Sequence, residues 1–272
     1  MGKELIKMSE GVIVEQKQGV GSAGTQIGQQ NVYNGISPEE ASKIAINLFM
    51  DNFPKLQQLA MEKVEERIEK FDDAIMLKLA NDNVQDYSAF TEPDVQYAIY
   101  EAQNNYARFG TDEMLSTLSS LVAERVKRNQ DDFSLKITID KAISITGMLS
   151  VEQLNHLSLL FIVTKVKFHN IKTLEDLETH FKIITGAFIN IKIQDWQYLQ
   201  MLGCLQLDLP QVIKKYSKMY NLDAKEVEKI CPDIIKDIAG DYSTSPVGTI
   251  LAITNAVGKV PYNFDPKVWI HD

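Results

Sequence analysis

GVGSAGTQIGQQNVYNGISPEE, residues 19–40, is the stretch on which the fold turns. Its opening, Gly19-x-Gly21-x-x-Gly24, matches the glycine spacing of a dinucleotide-binding loop. Such a loop works only between a strand and a helix whose N-terminus faces the pyrophosphate. Here a strand-like run precedes the glycines, but TQIGQQNVYNG, residues 25–35, follows them and is polar and β-like. The next helix signal waits until Ser37. Glu39 and Glu40, at the distance of a ribose-binding acid, belong to the start of that helix rather than to a second strand. No βαβ unit surrounds the glycines, so they are read as turns in an extended arm.

The arm itself is thin. GVIVEQ, residues 11–16, is β-prone, and Thr25, Ile27, Gln29, Asn31 and Tyr33 share one face at period two. Polar strands with few large apolar groups do not form a stable sheet alone. Such strands either pair with other chains, dock on the helical body or stay partly disordered, and in the first case neighbouring copies satisfy their unpaired backbone groups. Val12, Val14, Val20, Ile27, Gln29, Val32 and Tyr33 are the expected oligomerisation residues, and small glycines permit close backbone approach.

The pattern changes at Ser37-Pro38-Glu39-Glu40, where an N-cap serine, a proline at the first helical position and a glutamate three residues on agree on a helix start. The expected organisation is therefore an arm over residues 1–36 and a helical domain over 37–272, a mainly α fold of about eight to ten helices. The first helix carries Ala41, Ile44, Ala45, Leu48, Phe49, Phe53, Leu56, Ala60, Val64, Ile68, Phe71 and Ile75 at steps mostly of three and four, with Pro54 expected to kink or divide it. After the linker NDNVQDYSAF, helices are expected over about 93–109, 112–128 (capped by Thr111), 134–148, from a Ser150/Gln153 capping box to 168, and from Thr173 to 186. Further helices are expected over 196–205, 210–220, 224–238 and 245–257, while 188–196 reads as a short strand or an irregular turn. The aromatic tail is expected to pack back through Trp269 and Ile270.

A chain of 272 residues with formal net charge -9 has no global basic field for nucleic acid. The charged start MGKELIKMSEG lacks the apolar segment of a secretory signal, and the longest apolar run, around 157–163, is too short for a membrane span. Cys204 and Cys231 sit in apolar helical patterns and read as buried thiols in a reducing, cytoplasmic setting. His156, His169, His180 and His271 show no metal-ligand spacing with cysteine and no HExxH, although Glu152 and His156 stand four apart on one helix, and His180 lies near Glu175, Asp176 and Glu178. There is no GxSxG elbow and no Walker pattern. Arg125-Val126-Lys127-Arg128 and Lys214-Lys215 with Lys218 are small basic clusters, read as helix faces that complement the dipole or meet solvent. No catalytic, metal or cofactor-binding residue and no cofactor is expected.

Four segments together resemble a family of uncharacterised bacterial proteins labelled by locus tags: QIGQQNVYNGIS, EEASKIAINLFMDNFPKLQQLA, EPDVQYAIYEAQNNYARFG and the tail SPVGTILAITNAVGKVPYNFDPKVWI. The resemblance implies a mostly helical intracellular protein. Comparable Gly/Gln/Asn β-arms occur on bacterial proteins of conflict and phage defence, where they aid assembly. It carries over no catalytic residue.

The leading expectation is a non-enzymatic, self-assembling cytosolic protein, a cyclic trimer or larger homo-oligomer formed through residues 11–35, with nucleic acid not among its partners. The alternatives are an enzyme or toxin acting on nucleic acid or a nucleotide through a scattered site, and a membrane-disrupting effector using residues 157–168.

Overall fold

The computed structural model describes residues 37–128, 133–191, 195–208, 211–238 and 240–270, Ile270 by its backbone alone. The proposed arm, with Val12, Val14, Val20, Ile27, Gln29, Val32 and Tyr33, lies outside the described residues. The chain divides into two units, 1–54 and 55–272.

Of the first unit the described part is the beginning of helix α1, Pro38–Asn81. The capping box at its start forms. Glu40 accepts from the Ser37 amide at 2.9 Å while Ser37 Oγ accepts from the Glu40 amide at 3.1 Å. The helix is not divided at Pro54. The expected amphipathic stripe is covered only at its C-terminal end, where Phe71, Ile75 and Leu79 are buried.

In the second unit, a short 3-10 turn at Ser88–Thr91 leads to α2 (Pro93–Phe109), which stops at Gly110 in the left-handed region, φ 64°. Helices α3 (Asp112–Lys127), α4 (Phe133–Thr146), α5 (Val151–Lys165) and α6 (Leu174–Ala187) follow. The caps expected at Thr111, Ser150 and Thr173 all form; Ser150 and Thr173 make complete capping boxes with Gln153 and Asp176. Then come α7 (Trp196–Met201), α8 (Val212–Tyr220), α9 (Ala224–Ile230), α10 (Asp233–Ile238), α11 (Pro246–Ala256) and α12 (Pro266–Ile270).

Two boundaries differ most from the sequence expectation, and α5 also ends at Lys165, three residues short of the expected 168. The helix expected over 224–238 is two, because Cys231 precedes Pro232 and takes an extended ψ of 120°; the proline ring excludes the helical conformation from the residue before it. The helix expected to run to 205 ends at Met201. Strand β1, Leu205–Leu207, follows and pairs antiparallel with β2, Tyr242–Thr244, with Leu205 opposite Thr244 and Leu207 opposite Tyr242.

Helix α5 is the axis of the core. Its residues from Gln153 through Thr164 are all buried, as expected of a helix apolar around most of its circumference. It packs mainly on α11, which also contacts α4 and α3; α2 joins α3 and α4. The α11 N-terminus is fixed on the strand side, since Ser245 Oγ donates to the Gly203 carbonyl and caps the Gly248 amide. The tail returns as expected at Trp269, which with Phe264 lies edge-on to Phe161, ring centroids 5.3 Å apart, while the Ile270 side chain lies outside the described residues.

Candidate assembly face and charged cleft

The first candidate surface follows directly from α1. Ile44, Ile46, Leu48, Phe49, Met50, Phe53, Leu56, Leu59, Met61 and Val64 are all between 40% and 66% exposed. Single exposed apolar residues are ordinary, but ten in twenty-one consecutive positions make this face a candidate interaction surface. Phe49 and Phe53 lie one turn apart with ring centroids at 5.2 Å. Ile44, Leu48, Phe49, Phe53, Leu56 and Val64 belong to the expected amphipathic spacing; the 3.6-residue period shows which side chains share a face but not what covers it.

The second candidate is a cleft of about 610 Å³ between the end of α1, α3, α11 and the tail. It is lined by Lys78, Asn81, Asp82, Ser120, Glu124, Lys127, Arg128, Asn263 and Asp265, with Ile253, Val257 and Phe264 among its apolar walls. Lys127 bridges Asp82 and Glu124, each at 2.7 Å. Arg128 bridges Glu124 and Asp265, also at 2.7 Å, and so ties the tail to α3. Burial lowers the Lys78 ammonium below its ordinary range, against the raising effect of Asp82. Such a cleft can hold a small polar molecule, but its carboxylates already balance most of its positive charge. Its residues come from four separated segments, so no local spacing in the sequence announces it.

Of the basic clusters, Lys127, Lys214 and Lys218 are exposed as expected, whereas Arg125 and Lys215 are not. Arg125 is 1% exposed, with Nη2 2.6 Å from Asp94 and Nε 2.9 Å from Asp140. Its Nη1 has no hydrogen-bond partner among the described residues. For Asp94, burial raises the carboxyl but the Arg125 hydrogen bond and charge outweigh it, so it lies below the usual range. For Asp140, burial wins and the Asp94 charge adds to it, so that carboxyl lies above. The two differ because Asp94 is 50% exposed and Asp140 only 27%. Lys215 is not a surface cation either: its ammonium donates to the Thr164 carbonyl in the last turn of α5.

His180 is buried, its Nδ1 3.0 Å from the Tyr262 hydroxyl and its ring 4.3 Å from that of Phe168; burial holds its imidazole down at about 4. His156 is buried on α5. Burial pushes the Cys204 thiol up to about 12 and that of Cys231 up to about 11, which keeps both as poor nucleophiles. Among the described residues no three His, Cys, Asp or Glu side chains are grouped to hold a metal ion. No helix among them is long and apolar enough to cross a membrane.

A second polar set joins α5 to α11. Asn255 donates to Asn155 at 3.1 Å and to Ser158 at 2.8 Å, and Lys259 donates to both asparagine oxygens at 3.0 and 2.6 Å. These bonds satisfy polar groups in the core and fix the register of the two helices.

Residues 35–239 match the model of a family described as “:-like”. The chain belongs to this family. The match begins two residues before the capping serine of α1 and runs through α10, so the exposed α1 face, the Arg125 ion pairs and α5 all fall within it. No curated protein and no solved structure matches the chain.

Proposed function

We propose that the protein is a non-enzymatic, self-assembling helical protein whose copies meet through residues 11–35 and carry their helical domains around that contact. One observation supports this above the others: the first 27 residues of α1 expose ten large apolar side chains. A soluble chain covers such a surface by association. Closed cyclic symmetry, as a trimer or larger, satisfies both strand edges and apolar surface without leaving an open end. The setting, a bacterial cytoplasm and a role as sensor, scaffold or effector in anti-phage defence, rests on the resemblance of the arm and the flanking segments alone. The decisive comparison is the mass in solution of the full chain against a chain beginning at Gly35. The truncated chain is expected at a lower oligomer number, and an unchanged number rules out the arm as the assembly element.

The other two readings have less support. An enzyme or toxin needs converging polar groups with reactive character, whereas Cys204 and His180 are buried and held in their neutral forms. Membrane disruption by residues 157–168 requires the chain to extract its most buried helix, α5.

A further inference from the structure

We infer that the exposed face of α1 is an intermolecular seam, in which three or more copies of this chain pack their α1 helices parallel and in register. This rests on the reading that the chain self-assembles, though not on the arm being the element responsible. The spacing itself specifies a seam. With Ile46, Phe53 and Ala60 written as heptad a positions, Phe49 and Leu56 fall at d, and Lys63 at the next d closes the run. The same register sends Asp51, Pro54, Lys55, Gln58 and Glu62 to the far side, where a charge or a proline ring does not interrupt packing.

The positions flanking the seam decide the number of copies. In two-stranded coils they are commonly charged. Here they are Met50, Asn52, Gln57 and Leu59, none of them charged, and Met50 and Leu59 are each 61% exposed, so the apolar face reaches beyond the a and d positions. Ile44 and Leu48 extend it further around the first turns, at 46% and 58% exposed. Apolar groups that lie beyond the a and d positions in this way are covered when the helix has more than one neighbour. Ten large side chains at about half exposure present roughly 800 Å² of apolar surface, comparable with one partner's share of a stable interface.

The face suits a second copy better than other occupants. A helix that lies on a lipid surface carries a polar face rich in Lys and Arg. Residues 41–64 contain only Lys43, Lys55 and Lys63 as cations, with Asp51 and Glu62 against them. Charges that would select a foreign partner are equally scarce, while the seam is complementary to itself. Parallel alignment also brings the N-terminal residues of all copies to the same end, where strand pairing among arms requires them.

The test uses the full chain. An Ile46→Cys variant, mildly oxidised, is expected to form a disulfide between two copies at position 46, because a parallel in-register seam sets identical residues face to face. Cys204 and Cys231 are buried and supply little background. The F49E/L56E variant is expected to raise the dissociation concentration tenfold or more by sedimentation velocity. L207E, at a position 73% exposed on β1, is expected to leave it unchanged. Circular dichroism of each variant establishes that the helical domain remains folded. No cross-link at position 46, or an unchanged dissociation concentration for F49E/L56E, overturns the seam. So does a monomeric full chain, whether its 44–61 amides are protected from exchange only when residues 1–34 are present or its α1 binds anionic vesicles. If the chain starting at Gly35 keeps its oligomer number while F49E/L56E dissociates, the arm reading fails and the seam stands; the reverse result sinks the seam alone.

Discussion

Arg125 shows how a charged side chain becomes a structural centre. Leu118, Leu121, Val122 and Arg125 follow helical spacing on α3, so the apolar stripe itself points the guanidinium inward, where Asp94 of α2 and Asp140 of α4 meet it. Removing one partner of a buried ion pair leaves charge without compensation. Arg125→Ala is therefore expected to lower unfolding free energy by about 3–5 kcal/mol in a denaturant titration. Replacing Arg125 with Met and Asp140 with Leu together is expected to recover most of that loss, because matched apolar groups cost less than a stranded carboxylate. His180 gives a pH-dependent counterpart. Its folded value of about 4 lies below the 6.5 of an exposed histidine, so between these values the unfolded chain binds a proton that the folded one does not. Stability from this site is complete above pH 6.5 and falls as pH drops toward 4, by up to about 3 kcal/mol. His180→Phe is expected to flatten that part of the stability profile, measured by denaturant midpoints across the range. An unchanged slope excludes His180 as its source.

At the scale of elements, the helices with chemical punctuation were legible. Ser37, Thr111, Ser150 and Thr173 each announce a start, and each cap forms. Pro232 carried the same kind of information about the α9–α10 break, yet the apolar spacing running past it read as one helix. The β1–β2 pair was not legible, since three-residue strands contain too few alternations to reveal a period and exist only because each supplies the other's hydrogen bonds. That small sheet sets a constraint on α11. Gly248 faces the Cys204 carbonyl so closely that a Cβ there overlaps backbone rather than a movable side-chain end. Gly248→Ala is expected to destabilise by about 1–3 kcal/mol, since the helix start or the strand must shift. A thermal midpoint equal to that of the natural chain shows the contact to be looser than described.

For the whole molecule, the expected mainly α architecture holds, with twelve helices and one two-stranded sheet among the described residues. If the chain assembles as proposed, its unfolding midpoint rises with protein concentration, because partners bind the folded form and mass action favours it. The chain starting at Gly35 is expected to show a weaker dependence, in step with its lower oligomer number. The sequence by itself determined the helical class, the principal caps and the periodic faces of the helices. These are local properties, fixed by residues within a few positions of one another. Tertiary structure alone decided which faces are covered. The α5 stripe and the α1 stripe have similar apolar content, but α5 is enclosed by neighbours and Ile44 through Val64 stand exposed. It also placed Arg125 between two carboxylates and gathered the cleft from distant segments. Burial depends on what packs against a side chain, and spacing along the chain holds no record of that partner.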